Sequence, residues 1–452
     1  MRKRKLSRAF GALLAAGLLL SVSAPAMAAE ENAAALPDTV TASKFQDIPA
    51  DSWCAEAVAY VSGKGLMKGT SASAFAPGKM LTRGMFVTIL ARLANVHTEY
   101  YSGDNFQDVK SGSWCSGAVT WAADFGIVNG YTAELFGVNR AVTREQAAVM
   151  IANAADAFRL TLPETGTAAS FADAAAISAS FKDDVELMGK TGILQGDAKG
   201  NFNPKRELTR GEAAAVFMRL SRAVEAVTAA ADRNARTLTA SGTACMVKER
   251  VLLRDFRNDI RYPEISGLAS AENQRAWNAV FLKNAETEKK AVAGEGGIVQ
   301  DTFSVSQADA KLLSVTESSY VYMDGGMHGN SALFTWNFDM TTGKQVGLAD
   351  LCDTGAIAKA LLSGKGCEIL TSWGETAESN GLHLDDILEM NGCGKTQTAV
   401  KALLDRFDGT DPNQFSGCTY WENGKPRLVL SVCHAAGDYC VIRMDGAYSK
   451  TA

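Results

Sequence analysis

Three arginines recur in the same local setting along the first half of the sequence. Each follows a threonine at the start of a segment with helical apolar spacing, at Arg83, Arg144 and Arg210. A helix start favours acidic residues, because its unpaired amides carry partial positive charge. Cations at three such positions indicate an anionic partner, held by the arginine and the free amides together. Two alternatives stay open: a solvated side chain, or a salt bridge that holds a neighbouring repeat.

The preceding threonines are the predicted N-caps of these helices. Thr209 with Glu212, three residues later, has the pattern of a capping box. The second copy carries Gln146 at the position of Glu212, and the first carries Met85, so the first box is incomplete. The cap varies between copies, whereas the arginine does not.

The arginines belong to a threefold internal repeat whose copies begin at Phe45, Phe106 and Phe171. The order and spacing of the landmarks agree, and each copy reads as helix, loop, helix. A unit of this size cannot bury its apolar face alone, so the copies are expected to share one core. The recurring landmarks are a glycine (Gly69, Gly130, Gly196) and a phenylalanine (Phe75, Phe136, Phe202) before each arginine.

The pattern F-x-D…W…G…F…T-R-x-E resembles the S-layer homology domain of bacterial surface proteins, in its usual set of three. The resemblance covers roughly residues 43–222. It implies an all-α, pseudo-threefold helical bundle that binds secondary cell-wall polymers, commonly pyruvylated polysaccharides, in grooves between repeats. The polymer-binding residues that it implies are Asp47, Trp53, Arg83, Asp108, Trp114, Arg144, Asp173 and Arg210.

Each class of implied site residue also has a structural alternative. The aspartates could cap the first helix of a copy or fix a loop, and the tryptophans could pack in the core instead of stacking on sugar. Copy three lacks the tryptophan, and Phe181 is its nearest aromatic residue. We therefore expect unequal grooves, with the third the least certain.

Composition limits the class of protein. The chain has 452 residues, 47% of them hydrophobic and 21% charged, with a net charge of −5, which argues against a nucleic-acid binder. Nine cysteines are an odd number, so at least one thiol is free or paired between molecules; alternatively, several are reduced and act as small hydrophobic residues. A disulfide between Cys54 and Cys115 is one open pairing, since both follow the tryptophan of their copy.

The predicted organisation starts with an export signal. Residues 1–28 combine five basic residues, a short apolar stretch and a small-x-small cleavage site, which predicts a secretory signal peptide and no membrane anchor in the mature chain. The predicted units that follow are repeats at 43–98, 104–160 and 168–222, an Ala-rich helical linker at 223–236, and an α+β domain at 237–452.

The C-terminal half predicts one helix on an antiparallel sheet. The helix carries Trp277, Val280 and Phe281 on one face, and Phe334, Trp336 and Phe338 alternate as in a half-buried strand. Other predicted elements are an extended segment at Pro263, a short strand in TTGKQVGLADLC and a final hairpin, 428–432 with 439–444.

Residues 261–351 resemble the RsiV-like domain of Gram-positive surface proteins, with Gly325-Gly326-Met327-His328 in place of Gly-Gly-Ala-His. Relatives in that family include lysozyme-sensing anti-sigma factors and accessory domains of peptidoglycan deacetylases. The resemblance extends weakly over 237–445 and implies a recognition module.

The sequence shows no catalytic motif, no cofactor motif and no metal-spaced set of carboxylates. His328 beside Asp324 could serve acid–base or metal chemistry, but a single histidine in a glycine turn favours a structural role in the hairpin. His434 and the pair Asp385-Asp386 are no better placed. We expect a secreted, wall-anchored, non-enzymatic surface protein of a Gram-positive-type bacterium, without cofactor or metal. The alternatives are a wall-modifying enzyme and a structural S-layer subunit.

Overall fold

A computed structural model describes residues 45–449, except 104, 166–169, 240–242, 244 and 408–416. The predicted signal peptide therefore lies outside the described residues. Among the described residues, the first half contains six α-helices and no strand before Arg236. These helices are α1 Ala55–Gly63, α2 Arg83–Leu93, α3 Ser116–Asp124, α4 Arg144–Ala157, α5 Lys182–Lys190 and α6 Arg210–Arg233.

The three copies close into a ring through the residue that precedes each threonine cap. The amide of Leu81 donates to the carbonyl of Leu208, that of Leu208 to Val142, and that of Val142 to Leu81, each at 2.9 Å. Within this ring, every copy donates one backbone bond and accepts one. Short bridges flank the ring, so the starts of α2, α4 and α6 converge at one place.

The landmark phenylalanines form the core of each copy. The opening Phe packs against the loop Phe at centroid distances of 5.5 Å, 5.5 Å and 4.9 Å in the three copies. The loop phenylalanines are fully buried, as are Phe86 of α2 and Phe217 of α6, which contact one another. The copies share one continuous core, as the repeat length predicts.

Helix capping follows the prediction from the sequence. Thr143 with Gln146 and Thr209 with Glu212 form capping boxes, whereas Thr82 accepts from the amide of Met85 without a reciprocal bond. Residues 223–233 of the predicted linker are helical, but they extend α6 without a break instead of forming a separate spacer, and Arg236 already belongs to the first strand. Cys54 and Cys115 are separate buried thiols, so the disulfide considered between them is not formed.

The second half begins with a six-stranded sheet in the order β1-β2-β3-β4-β5-β6. The prediction of a purely antiparallel sheet was wrong, because β3 and β4 pair in parallel at Asp259 and Gln300. Helix α7, Ala271–Glu295, connects those two strands and packs on the sheet, which allows the parallel pairing. The strands are β1 Arg236–Thr237, β2 Met246–Arg254, β3 Asp259–Ser266, β4 Ile298–Ala308, β5 Leu312–Tyr322 and β6 Asn330–Asp339.

A second, antiparallel sheet follows in the order β7-β10-β9-β8. The predicted final hairpin is present as β9 and β10, but the short strand predicted in TTGKQVGLADLC is wrong, because Leu348–Leu351 is a helical turn. The remaining strands are β7 Cys367–Thr371, β8 Cys418–Glu422, β9 Lys425–Ser431 and β10 Tyr439–Met444. The sequence predicted one helix in this half, but further helices follow α7. They are α8 Leu348–Leu351, α9 Thr354–Ser363, α10 Leu384–Met390 and α11 Gln397–Leu404.

The two halves are joined by more than the chain. Asp232 of α6 accepts two bonds of 2.7 Å from the guanidinium of Arg250 on β2, and Thr228 of α6 exchanges bonds of 2.9 Å with the backbone of Arg254. Phe256, just after β2, is buried in the core of the repeats. Within the described part of the chain, no helix has the length and apolar character required to cross a membrane.

Candidate functional site: the grooves between the repeats

The aspartates at equivalent positions of the three copies hold the phenylalanine loop of their own copy. Asp47 accepts from the amides of Phe75 and Ala76 at 2.8 Å and 2.7 Å. Asp108 and Asp173 make the equivalent bonds to Phe136 and Phe202, at 2.7 Å each. These amide donors hold the pKa of the Asp47 carboxyl below its usual value. The structure therefore places all three aspartates as loop anchors.

The three arginines hold the loop of the next copy. Arg83 donates from Nε to the carbonyl of Phe136 at 3.0 Å, and from Nη2 to the carbonyl of Asn129 at 2.9 Å. Arg144 makes the same pair of bonds to the carbonyls of Phe202 and Gln195, and Arg210 makes it to those of Phe75 and Lys68.

Each guanidinium also lies over the ring of the phenylalanine whose carbonyl it binds, with Cζ 4.6–4.8 Å from the centroid. All three arginines are at most 8% exposed. Burial lowers the pKa of each guanidinium, as expected for a cation removed from water. They link the copies through carbonyls and aromatic rings rather than through the salt bridge considered from the sequence.

The expectation that free amides assist the arginines was wrong. The amides of Arg210 and Gly211 donate to the carbonyls of Lys79 and Pro77, at 2.8 Å and 2.9 Å. The first two amides of α2 and α4 donate to carbonyls of the following copy in the same way. The closed ring therefore consumes the donors that an isolated helix would offer to an anion.

We expect Arg144→Ala to lower the free energy of unfolding by about 2–3 kcal/mol, because two charge-assisted bonds and a ring contact between copies are lost. Arg144→Lys should not restore this stability, since an ammonium cannot make the two-nitrogen fork. Arg222→Ala is the matched control: its ion pair with Glu56 is half exposed, and a loss below about 1 kcal/mol is expected. Urea denaturation of the full chain measures both; equal losses would contradict the linking role.

The tryptophans are not core residues. Trp53 is 69% exposed and Trp114 is 62% exposed, each just before the first helix of its copy. The ring of Trp53 lies against Gly211, at the start of α6, and a side chain there would meet it. An exposed indole on this scale supports the sugar-stacking alternative over core packing.

One groove forms a defined cleft of about 220 Å³. All three copies contribute: Trp53 comes from copy one, Arg144 from copy two, and the remaining lining residues from copy three. The polar members of the copy-three wall are Gln195, Asp197, Asn203, Arg206, Glu212 and Arg219.

Charged side chains of both signs line the cleft, and hydrogen bonds hold several of them in place. Arg206 and Glu212 form a two-bond ion pair at 2.6 Å and 3.1 Å, and Arg219 donates to the carbonyl of Ile193. Since Nε and Nη2 of Arg144 are committed, Nη1 is its one nitrogen without a hydrogen bond to another described residue. The cleft wall therefore carries one indole face and three guanidinium groups, of which that of Arg206 is paired with Glu212.

His328 and Asp324, which were considered together from the sequence, have different partners in the structure. Asp324 points to Arg257 and not to His328. The ring of His328 stacks on His434, with centroids 3.7 Å apart, and its Nδ1 is 3.1 Å from the carbonyl of Gly329. These contacts tie the β5–β6 turn to the second sheet, a structural role that agrees with the preferred reading of this histidine.

Three carboxylates that are far apart in the sequence, and that form no metal-spaced motif there, lie together in the fold. Glu288 of α7, Asp301 of β4 and Glu317 of β5 bring carboxylate oxygens within 4.8 Å of one another. Glu288 and Asp301 share a hydrogen bond, and burial is the first cause that raises the pKa of all three carboxyls. One signal was available: Glu288 lies on the helical face of Phe281, Ala285 and Val292, where an apolar residue is expected.

Comparison with known proteins agrees with the repeat geometry. Residues 44–84, 105–148 and 170–214 match the S-layer homology domain. The sequence is 32% identical over 173 residues to an amylopullulanase of Thermoanaerobacterium thermosulfurigenes, covering 38% of this chain and 9% of that protein. It is 31% identical over 199 residues to the surface-layer 125 kDa protein of Lysinibacillus sphaericus, covering 43% and 16%.

An S-layer protein of Bacillus thuringiensis subsp. finitimus is 22% identical over 293 residues, covering 63% of this chain and 35% of that protein. These matches span about a third or less of each relative. A solved DUF3298 family protein from Pseudomonas aeruginosa aligns with a TM-score of 0.27 at 11% identity, over 46% of this chain and 92% of that one.

The domain matches define the class of protein: a cell-surface, cell-wall-associated protein. More specifically, the chain carries three S-layer homology domains, and the cleft lies where they meet.

Proposed function

We propose that the three S-layer homology domains anchor this protein non-covalently to an anionic secondary cell-wall polysaccharide, with a pyruvylated sugar as the group recognised. The observation that carries the proposal is the cleft, which is lined by the exposed ring of Trp53 and by Arg144, Arg206 and Arg219. Hydrogen bonds to other residues hold these three guanidinium groups in place. Its volume of about 220 Å³ suits one substituted sugar ring rather than a long chain segment. The ring of backbone bonds fits a pseudo-threefold bundle, in which the cleft is one of three related grooves.

Arg144 and Asp197 have different roles in the cleft, which follow from their contacts. Arg144 both links copies two and three and presents Nη1, so it places a charge where the two copies meet. Asp197 is committed to its own loop, where hydrogen bonds from Asn203 and from the amides of Asn201 and Lys199 lower its pKa to about 2. It therefore shapes the loop and does not compete for Arg144.

We further propose that the C-terminal half is displayed for recognition of a glycan, a peptidoglycan fragment or a protein, as an RsiV-like module would be. The interface of α6 with β2 supports display in a fixed orientation, because side chains of both elements are hydrogen-bonded across it. Export through the predicted signal peptide belongs to the same proposal.

Trp53→Ala tests the anchoring claim without touching the core, because the side chain is mostly solvent-exposed. We expect retention on purified wall sacculi to weaken about tenfold, the equivalent of roughly 1.4 kcal/mol of lost stacking. Co-sedimentation of the full chain over a range of sacculus concentrations measures it.

Trp373→Ala is the matched control, since Trp373 is 63% exposed but lies in the C-terminal half. It should sediment as the unmodified chain does. Removal of the polysaccharide from the sacculi should lower retention of both to the same residual level, because the C-terminal half is itself proposed to recognise wall components. Undiminished binding by Trp53→Ala would remove Trp53 from the site, and equal retention on intact and stripped sacculi would refute the anchoring role.

A further inference from the structure

The groove beside Arg83 holds an aromatic side chain that its two counterparts lack. The residue after the landmark glycine is Tyr131 in copy two, where copy one has Thr70 and copy three has Asp197. Each of these residues begins the loop that the arginine of the preceding copy binds. The three grooves therefore differ most at this position.

Tyr131 reaches across its groove. Its ring lies close to two cations, with Cζ of Arg83 at 4.9 Å and Cζ of Arg140 at 4.5 Å from the centroid. Its hydroxyl accepts a bond of 2.9 Å from Nε2 of Gln146, on the first turn of α4. Gln146 corresponds to Glu212 and Arg140 to Arg206, two residues that line the open cleft. Tyr131 thus contacts the equivalents of the ligand-facing wall.

The backbone is adapted to this placement. Gly137 has φ +78°, and a Cβ atom there would lie 2.6 Å from Cδ2 of Tyr131. The equivalent residues Ala76 and Asn203 have the same left-handed conformation, with φ 58° and 57°, but keep their side chains. Glycine is therefore required at 137 by the close ring and not by the conformation alone.

The equivalent residues turn back to their own loops. The hydroxyl of Thr70 donates to the carbonyl of Ala74 at 3.2 Å. The carboxylate of Asp197 accepts from the amides of Lys199 and Asn201, at 2.9 Å each. Neither one contacts the arginine of the preceding copy in the way Tyr131 contacts Arg83.

We propose that Tyr131 is an internal occupant of the Arg83 groove, which closes this groove to the polymer and leaves anchoring to the other two. The inference rests on the proposed function and adds which groove is used. The phenol ring occupies the space beside the guanidinium groups of Arg83 and Arg140, and its hydroxyl takes the Gln146 donor. Trp53 of copy one lies beside the start of α6, which belongs to copy three. By the same relation between copies, a tryptophan of copy three would lie at the edge of the Arg83 groove, but copy three lacks this tryptophan.

Tyr131→Thr, which copies the residue of copy one, should open the groove. The probe is a methyl glycoside that carries a pyruvate ketal, and native mass spectrometry of the full chain counts bound molecules. We expect the variant to bind one molecule more than the unmodified chain. The same glycoside without pyruvate should show no such gain.

Tyr131→Phe is the control for the side chain itself, because it keeps the ring and loses only the bond to Gln146. Its count should equal that of the unmodified chain. An unchanged count for Tyr131→Thr, with thermal unfolding like that of the unmodified chain, would overturn the inference and leave the proposed function standing. If neither the unmodified chain nor Tyr131→Thr binds the glycoside or sacculi, the proposed function fails and takes this inference with it.

Discussion

Asp324→Ala is expected to lower the free energy of unfolding by about 3–5 kcal/mol, because it leaves the guanidinium of Arg257 buried without its counter-charge. The side chain of Asp324 is fully buried and that of Arg257 is 1% exposed. Both carboxylate oxygens are engaged: Nη1 of Arg257 is 3.0 Å from Oδ2, and Nη2 bonds to Oδ1.

The same carboxylate joins the two halves of the protein. It accepts from the hydroxyl of Tyr101 and from the amide of His97, each at 3.0 Å. Both donors belong to the segment between α2 and α3, whereas Asp324 follows β5 in the other half. Arg257 adds a bond of 3.1 Å to the carbonyl of Asn95. Loss of the carboxylate should therefore weaken the docking of the halves as well as the local fold.

Urea denaturation of the full chain measures the loss, and hydrogen exchange across residues 95–101 reports the docking. Asp385→Ala is the matched control, because its ion pair with Lys395 at 2.7 Å is more than half exposed and should contribute below about 1 kcal/mol. If Asp324→Ala lost no more than Asp385→Ala, and residues 95–101 kept their protection, the joint assigned to Asp324 would be wrong.

The repeat could be predicted because its information is local and occurs three times. Phe45, Asp47 and Arg83 each have two equivalents at matching spacing in the other copies, and this recurrence made the pattern recognisable. The capping boxes at Thr143 and Thr209 need residues three apart, so the sequence contains the complete interaction. The same reasoning found the β9–β10 hairpin.

The partners of the arginines could not be predicted in this way. Arg144 binds the carbonyl of Phe202, which is 58 residues away. Every residue has a backbone carbonyl, so residue types do not indicate which carbonyl an arginine binds. The first amides of each of these helices have no partner within the helix. They donate to carbonyls of the following copy, which lie in place only when the three copies are assembled. A local reading therefore singled out the arginine but could not show that the amides beside it are already paired.

Long-range pairing explains the other differences. Asp324 was read with its sequence neighbour His328, but its charge partner Arg257 is 67 residues away. The parallel pair of β3 and β4 depends on where α7 packs, which alternation of side chains within a strand does not report. The helices around the second sheet fall in a cysteine-rich tail with no repeat to support a prediction.

Glu317→Gln is expected to stabilise the protein at alkaline pH, the opposite of the usual effect of a buried substitution. Glu317 lies in a buried cluster with Glu288 and Asp301, and no cation is hydrogen-bonded to any of the three among the described residues. Burial and the neighbouring carboxyls raise the pKa of Glu317 well above its usual range. Burial likewise raises the pKa of Glu288 to about 9 and that of Asp301 to about 7.

Groups on the adjoining strands do not offset this cost. Ser319 donates to Asp301 at 2.8 Å and the amide of Arg261 donates at 3.4 Å, but the nearby charge of Asp259 raises the pKa of Asp301 further. A neutral amide at 317 removes one ionisable group and can donate to either remaining carboxyl.

The direction of the pH effect follows from proton counts. In the unfolded chain these carboxyls ionise near pH 4. In the folded protein the pKa of Asp301 is about 7 and that of Glu288 about 9, and the pKa of Glu317 is also raised well above its usual range. Folding therefore binds protons in this window, so stability is highest at its acidic end and falls as the pH rises. The gain from Glu317→Gln should be close to zero near pH 4 and reach at least about 2 kcal/mol at pH 8.

Thermal unfolding of the full chain between pH 5 and pH 9, in the presence of a chelator, measures the effect, because protons are then the main counter-charge. We expect the melting temperature of the unmodified chain to fall more steeply with pH than that of Glu317→Gln. Glu286→Gln is the control on the exposed face of α7 and should follow the unmodified chain. Parallel profiles for Glu317→Gln and the unmodified chain would show that the cluster is not protonated in the folded protein. A steeper fall in the unmodified chain alone would show that folding keeps protons on carboxyls packed between a helix and a sheet.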